Sequence, residues 1–274
     1  MVGAVLTEPT CKDADIGLFY IDPRGYAPMC GAGSIAPAKA LVELGYVPMR
    51  EPITEVRMET PSGIVCGYAE VKDGQVYRSK FRNIESFVYG TGLTTVWNGA
   101  AVTYNIIYGG NFFVSLPLEQ FGIEMKAENA GTLSALGMGL LGQINREIKV
   151  AHPLHPGITF LNDIQFCAPS NMENGKKIYC RTVIFGARQV DRSPCGTGSC
   201  ARMAYLYSRG ELGINEPFIH ESIIGSRYYG KIESVWEKDG CASVTCVLSG
   251  DAHIIAAGNF AADYGDPMVS GFLL

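Results

Sequence analysis

Two cysteines, Cys30 and Cys195, open the same motif at a constant offset of 165 residues (195 less 30). The segment CGAGSIAPAKALVELG (30–45) falls on CGTGSCARMAYLYSRG (195–210) without a gap. Seven positions are identical: Cys30/Cys195, Gly31/Gly196, Gly33/Gly198, Ser34/Ser199, Ala36/Ala201, Leu41/Leu206 and Gly45/Gly210. Two copies this far apart are too few for a solenoid and describe instead two related halves, each contributing one cysteine.

Each copy reads as a cysteine, a Gly-x-Gly-Ser turn and an apolar run that closes on a glycine. Leu41, Val42 and Leu44 in one copy, and Met203, Ala204, Leu206 and Tyr207 in the other, have the density of a buried helix. Ser34 and Ser199 are the expected N-caps, Gly45 and Gly210 the expected C-terminal glycines. Pro37 fits only a first turn, so the first helix should begin near Ser34. A turn feeding a helix aims free N–H groups and the positive end of the dipole at one spot, which suits a carboxylate. The same field is expected to lower a cysteine pKa. If the halves face each other, two turns grip one carboxylate and two sulfurs flank the carbon beside it. That geometry suits proton removal on one face and delivery on the other. Because the Cα–H of an amino acid is a very weak acid, N–H donors must also stabilise the charge that grows on the carboxylate. The competing reading, two buried cysteines in similar strand-to-helix turns, fits a lone cysteine better than a matched pair.

MCGAGSI (29–35) and DRSPCGTGSCA (191–201) resemble the two cysteine motifs of the proline racemase family. That family comprises proline racemases, 4-hydroxyproline 2-epimerases and trans-3-hydroxyproline dehydratases, none of which uses pyridoxal phosphate. The resemblance continues through GAVLTEP (3–9), YGGNFF (108–113), ESIIGS (221–226) and DYGDPMVSGFLL (263–274), so it covers essentially the whole chain. It implies that Cys30 and Cys195 are the acid/base pair, and that the amides of Gly31, Ala32, Gly196 and Thr197 hold the substrate carboxylate. It further implies that Asp191 contacts the substrate amine and that Phe185 lines the ring pocket. Cofactor-independent inversion of the α-carbon of proline or a hydroxyproline is the implied activity, and a homodimer the implied assembly. Both cysteines are present, which favours a racemase or epimerase over the alternatives, a 3-hydroxyproline dehydratase or a non-catalytic imino-acid-binding homologue. Three departures stand out. Ala32 replaces a histidine, Asn105 replaces an aspartate before Gly109 and Gly110, and an upstream Thr-His-Thr-Gly-Gly-Glu-Pro-like segment is missing. Either the start is assigned too late or the N-terminal half lacks strands that the family normally has.

The chain has 274 residues, 47% hydrophobic and 18% charged, with a net charge of −5. This suits one or two globular domains. No lysine- or arginine-rich run supports nucleic-acid binding. No apolar run reaches transmembrane length, and the start MVGAVLTEPTCKDAD lacks the basic region of a signal peptide. Nine cysteines without a leader imply free thiols in the cytoplasm. There is no Cys-x-x-Cys. The Cys195/Cys200 and Cys241/Cys246 pairs lack nearby histidines, so no metal site is expected.

The elements that position the two motifs are mostly strands. Short apolar runs lead to Cys30, and 53–84 reads as a meander turning at Pro61–Gly63 and Asp73–Gly74. Residues 90–100, with three glycines, are taken as the join between halves 1–95 and 96–262, with 263–274 a tail that returns toward the first half. The β-rich run 102–118 holds Gly109–Gly110, read equally as a bulge or as part of the site. A helical stripe spans 127–149. His152 and His155 lie in a proline-stiffened loop with a structural or rim role. Strands near 158–168 and 178–186 lead to Asp191, which alone would read as a turn aspartate bonding nearby N–H groups. Strands fill 217–260 and carry His220 and His253 in structural roles. The expected fold is α+β, with two pseudo-symmetric halves, each a curved mixed sheet around one helix. The resemblance makes this diaminopimelate epimerase-like, with the site in the cleft between the halves.

Overall fold

The computed structural model describes residues 2–22, 25–186, 188–238, 241–259 and 261–270. Its first part runs β1 (Gly3–Thr7), β2 (Ile16–Asp22), β3 (Gly25–Ala27), α1 (Ala32–Glu43), β4 (Ile53–Thr60), β5 (Gly63–Lys72) and β6 (Gln75–Trp97). β4 and β5 alternate inward and outward residues, the period-two pattern of a sheet with one buried face. Val56, Met58, Val65 and Ala69 form one core with Ile35, Leu41 and Val42 of α1. A Cβ at Gly67 would stand 2.7 Å from that of Ala38, so the glycine lets helix and sheet close on each other. Asp73 and Gly74, at φ +52° and +71°, make the expected two-residue hairpin turn.

The 23-residue β6 joins the two parts. It pairs with β5 near its start and with β7 (Ala100–Tyr108) near its end. The expected join at 90–100 is therefore a β-hairpin, turning at Asn98 and Gly99. Its alternation is hidden because the register shifts at Gly90 and between Gly90 and Leu93.

β8 (Phe112–Pro117), α2 (Ala130–Glu147), β9 (Leu161–Cys167), β10 (Asn171–Glu173), β11 (Lys176–Phe185), β12 (Gln189–Val190), α3 (Gly196–Ser208), β13 (Phe218–Glu221), β14 (Arg227–Lys238) and β15 (Cys241–Gly250) follow. The strand order β6-β15-β14-β13-β11-β9-β8-β7 returns to β6 through the β6–β7 pairing, closing a ring. α3 packs on β6, β7, β14 and β15 of that ring. Met203, Ala204 and Leu206 sit in its core with at most 3% exposure. α2 covers β9 and β11 and supplies Leu133, Leu140, Leu141 and Ile144 to a second core, as its apolar stripe predicts. The chain is thus mixed α+β, and among the described residues no helix is long and apolar enough to cross a membrane.

Gly45 and Gly210 end α1 and α3 in the left-handed region, at φ +77° and +68°. The N–H groups of Gly210 and Glu211 return to the carbonyls of Tyr207 and Leu206, a Schellman closure. The serines behave differently from expectation. The N-caps are Gly31 and Cys195, not Ser34 and Ser199. Each serine hydroxyl instead donates back to the carbonyl of its own cysteine, at 2.8 and 2.9 Å. A hydroxyl can bond the carbonyl four residues back as readily as it caps. The earlier start makes Pro37 the sixth residue of α1, where the carbonyl of Gly33 loses its helical partner. The expected strand run also stops early. After β15, residues 251–259 hold neither strand nor helix, and His253 is exposed there.

Candidate functional site

The repeated glycines explain how the two motifs meet. Gly31 and Gly196 lie back to back, and a Cβ on Gly196 would stand 2.6 Å from the Cα of Gly31. No residue with a side chain allows that approach. It places Cys30 and Cys195 on one cleft of about 1450 Å³. Each cysteine is half-buried and free. Gly31, Ala32, Asp191, Gly196, Thr197 and Phe185 all line the same cleft.

The first-turn amides of both helices have no carbonyl four residues back to receive them, and the Ser34 N–H turns to the Gly31 carbonyl at 3.1 Å. The Gly33 N–H donates to Cys30 Sγ at 3.3 Å, and Cys195 Sγ lies 3.7 Å from Thr197 Oγ1. The loop before Cys195 is tied by its own side chains. Ser193 N–H donates to Asp191 Oδ1 at 2.9 Å, and Cys195 N–H to Ser193 Oγ at 3.0 Å. Asp191 is thus both the turn aspartate that local chemistry predicts and part of the cleft wall.

The thiols are not held low. Burial pushes Cys30 up to about 11, partly opposed by the N–H of Gly33. Burial also pushes Cys195 up to about 12, with Asp191 adding to the rise and Arg181 opposing it. Backbone N–H groups of the turns draw both thiols down, but desolvation of the thiolate exceeds them. Burial raises the Asp191 carboxyl as well, while the Ser193 N–H draws it down.

Several residues that sequence reasoning passed over shape the site. Asn111 links the two loops by donating to the Met29 carbonyl at 2.9 Å and to Thr197 Oγ1 at 3.5 Å. Gly109 and Gly110 are neither a simple bulge nor cleft lining. A Cβ on Gly109 would stand 2.6 Å from the Ala201 N, and one on Gly110 2.7 Å from Met29 Cγ, so they seat β7 against both motifs. Tyr228 and Asp163 also line the cleft. The advance sign of Asn111 was its place after two glycines in the YGGNFF segment. Asn105 accepts the Gly92 N–H at 3.0 Å on the β6–β7 ribbon and is not among the cleft residues.

His220 is buried and shares a 2.8 Å hydrogen bond with Ser199 Oγ through Nδ1, the structural role expected of it. Outside the cleft, Glu85, His152 and His155 bring potential metal ligands within 4.8 Å of one another. His152 Nδ1 accepts the N–H groups of Leu154 and His155, each at 3.1 Å. The ring proton therefore sits on Nε2, 3.7 Å from Glu85 Oε1, and that nitrogen has no lone pair to give a metal ion.

Comparison with known proteins completes the description. Residues 1–273 match the family described as proline racemase. The chain is 38% identical over 276 residues to a proline racemase of Clostridioides difficile, covering all of this chain and 82% of that one. It is 37% identical over 275 residues to a 4-hydroxyproline 2-epimerase of Streptosporangium roseum, with coverage of 100% and 82%. Its fold matches that of a hydroxyproline epimerase from Agrobacterium vitis with bound trans-4-hydroxy-L-proline. The TM-score is 0.92 and the identity 29%, over 99% of this chain and 77% of that one.

Proposed function

The chain belongs to the proline racemase family, and we propose that it inverts the α-carbon of proline or 4-hydroxyproline with Cys30 and Cys195 as paired acid and base. The observation that carries this reading is the Gly31–Gly196 contact, which brings both cysteines to one cleft from opposite helices. In the reading, the substrate carboxylate sits between the amides of Gly31, Ala32, Gly196 and Thr197. Asp191 receives the ammonium and Phe185 borders the ring. One thiolate removes the α-proton while the opposite thiol delivers its proton to the other face, and the roles exchange in the reverse direction. The first-turn amides stabilise the negative charge that moves onto the carboxylate. No cofactor enters. The raised thiol pKa values suit this chemistry, because a more basic thiolate is better matched to a weak carbon acid.

The test is chiral separation of L-proline and of trans-4-hydroxy-L-proline after incubation with the purified chain. Appearance of the α-inverted isomer supports the reading and selects the substrate. A folded sample that leaves both unchanged contradicts it.

The same pair predicts a pH dependence. The active form carries one thiolate and one thiol. With both thiols raised by burial, the neutral forms dominate near pH 7 and the thiolate grows as pH rises. The rate constant kcat/KM should therefore climb between about pH 7 and 9, by nearly tenfold per unit. Steady-state rates across that range check it, and a flat profile would show that the thiols are not raised by burial.

A further inference from the structure

The two cysteine loops rest on different supports. Beneath the first lies Tyr20, whose ring would stand 2.7 Å from a Cβ on Gly33 and whose hydroxyl is 2.7 Å from Ser34 Oγ. Beneath the second, the equivalent place is taken by Arg181. Its Nη1 would stand 2.5 Å from a Cβ on Gly198, and its Nη2 donates to Ser199 Oγ at 3.2 Å. A neutral phenol supports one half and a guanidinium supports the other.

Arg181 is 1% exposed. Its Nη2 donates to the carbonyls of Pro194 and Cys195, and its Nη1 to Gln165 Oε1. Cys195 sits at φ +57°, a left-handed conformation that a residue with a Cβ holds only when its surroundings enforce it. The two carbonyls bound to one guanidinium supply that enforcement. The acidic groups bearing on Arg181 are the thiols of Cys195 and Cys167 and the carboxyl of Asp191. The repeat offset puts Tyr26 at the position of Asp191, so the first loop has no such aspartate. Carboxylate and guanidinium thus both occur on the second side, and neither has a counterpart at the equivalent place on the first.

We infer that Arg181 is a positioning residue for Cys195, fixing the left-handed backbone of its loop and offsetting the charge of Asp191 whenever Cys195 carries the thiolate. The inference rests on the acid/base role given to Cys195 above. A two-base inversion needs either sulfur to hold the negative charge in turn, and Asp191 opposes the thiolate of both Cys30 and Cys195. The buried guanidinium offsets that charge at Cys195, whose own loop carries the aspartate. The charged groups bearing on Cys195 are Asp191 on its own loop, Arg181 from β11 and Asp163 from β9, with Tyr228 from β14 near all three of Asp191, Cys30 and Cys195.

The test reads the thiols directly and requires no turnover. Cys30 and Cys195 are alkylated with iodoacetamide at pH 8.5, and each rate is followed by peptide mass spectrometry. In Arg181→Gln, Cys195 should react about threefold slower or more while Cys30 stays within twofold. A pKa rise of one unit removes about tenfold of the thiolate but makes the remainder more nucleophilic, which leaves roughly a threefold loss. Buried Cys200 reports unfolding in the same sample. Should Arg181→Gln expose Cys200, Gln165→Glu carries the test, because it neutralises the guanidinium without removing it. It too should slow Cys195 selectively. An unchanged ratio of Cys195 to Cys30 rates in a folded variant overturns the inference. If the chiral assay is silent while the alkylation ratio shifts, the proposed activity fails and the influence of Arg181 on Cys195 stands.

Discussion

Replacing either Cys30 or Cys195 by alanine is expected to slow inversion by on the order of 10³-fold, within the range a positioned acid or base contributes. The loss should be the same for both enantiomers of the substrate. Each sulfur is base in one direction and acid in the other, so removing one disables both. The double variant should be little slower than either single one, since groups that act as a unit lose their effect together. Serine replacements test the chemistry at constant shape. They keep an oxygen near the position of each sulfur, but a hydroxyl is far less acidic than a thiol and should restore little. Initial rates from both enantiomers, with thermal melting to confirm folding, check these outcomes. A single-cysteine variant that keeps more than about a tenth of the parent rate, where a loss of 10²–10⁴ is expected of a missing base, would rule out the paired mechanism.

Gly196→Ala should be nearly as damaging although it removes no reacting atom. The added carbon would stand 2.6 Å from Gly31 Cα and 3.2 Å from Phe81 Cζ. The obstacle on one side is backbone, so no side-chain rotation relieves it and the loops must separate. Overpacking of this kind costs about 1–3 kcal/mol. A displacement of about 1 Å between reacting groups costs about 10²-fold in rate. The variant should therefore melt earlier and lose roughly that factor in kcat/KM. Gly142→Ala is the matching control. Gly142 lies exposed in α2, where an added Cβ meets nothing within 4 Å. There alanine should leave the rate unchanged and add up to about 1 kcal/mol of stability. Equal effects at the two positions would show that the glycine contact is not what aligns the site.

The repeat made much of this arrangement readable in advance, because a contact between symmetry-related loops leaves identical residues at both. Gly31/Gly196 and Gly45/Gly210 were visible as identities, and the structure gives each pair one physical reason. The ring closure was not visible. It depends on β6 pairing with β15 (Ser243 opposite Phe87) and on the hairpin through Asn98, and long-range pairing leaves no local sequence signal. Glycines at the register shifts of β6 then broke the alternation that would have marked the strand. The serine caps failed because capping and back-bonding use the same side chains. The pKa direction failed because a turn motif reveals the dipole but not the depth of burial that opposes it. Arg181 did leave a trace. It stands between Tyr179 and Val183 on one face of β11, in its buried part, where an inward charge marks a special site.

The most direct test of opposed cysteines is deuterium incorporation at the α-carbon. L-proline, or the hydroxyproline chosen by the chiral assay, is converted to a few per cent in D₂O, and both isomers are recovered and analysed. Two bases on opposite faces predict solvent deuterium in the inverted product and almost none in the recovered substrate. Equal labelling of substrate and product early in the reaction would mean that one base serves both faces, and would contradict the assignment of Cys30 and Cys195.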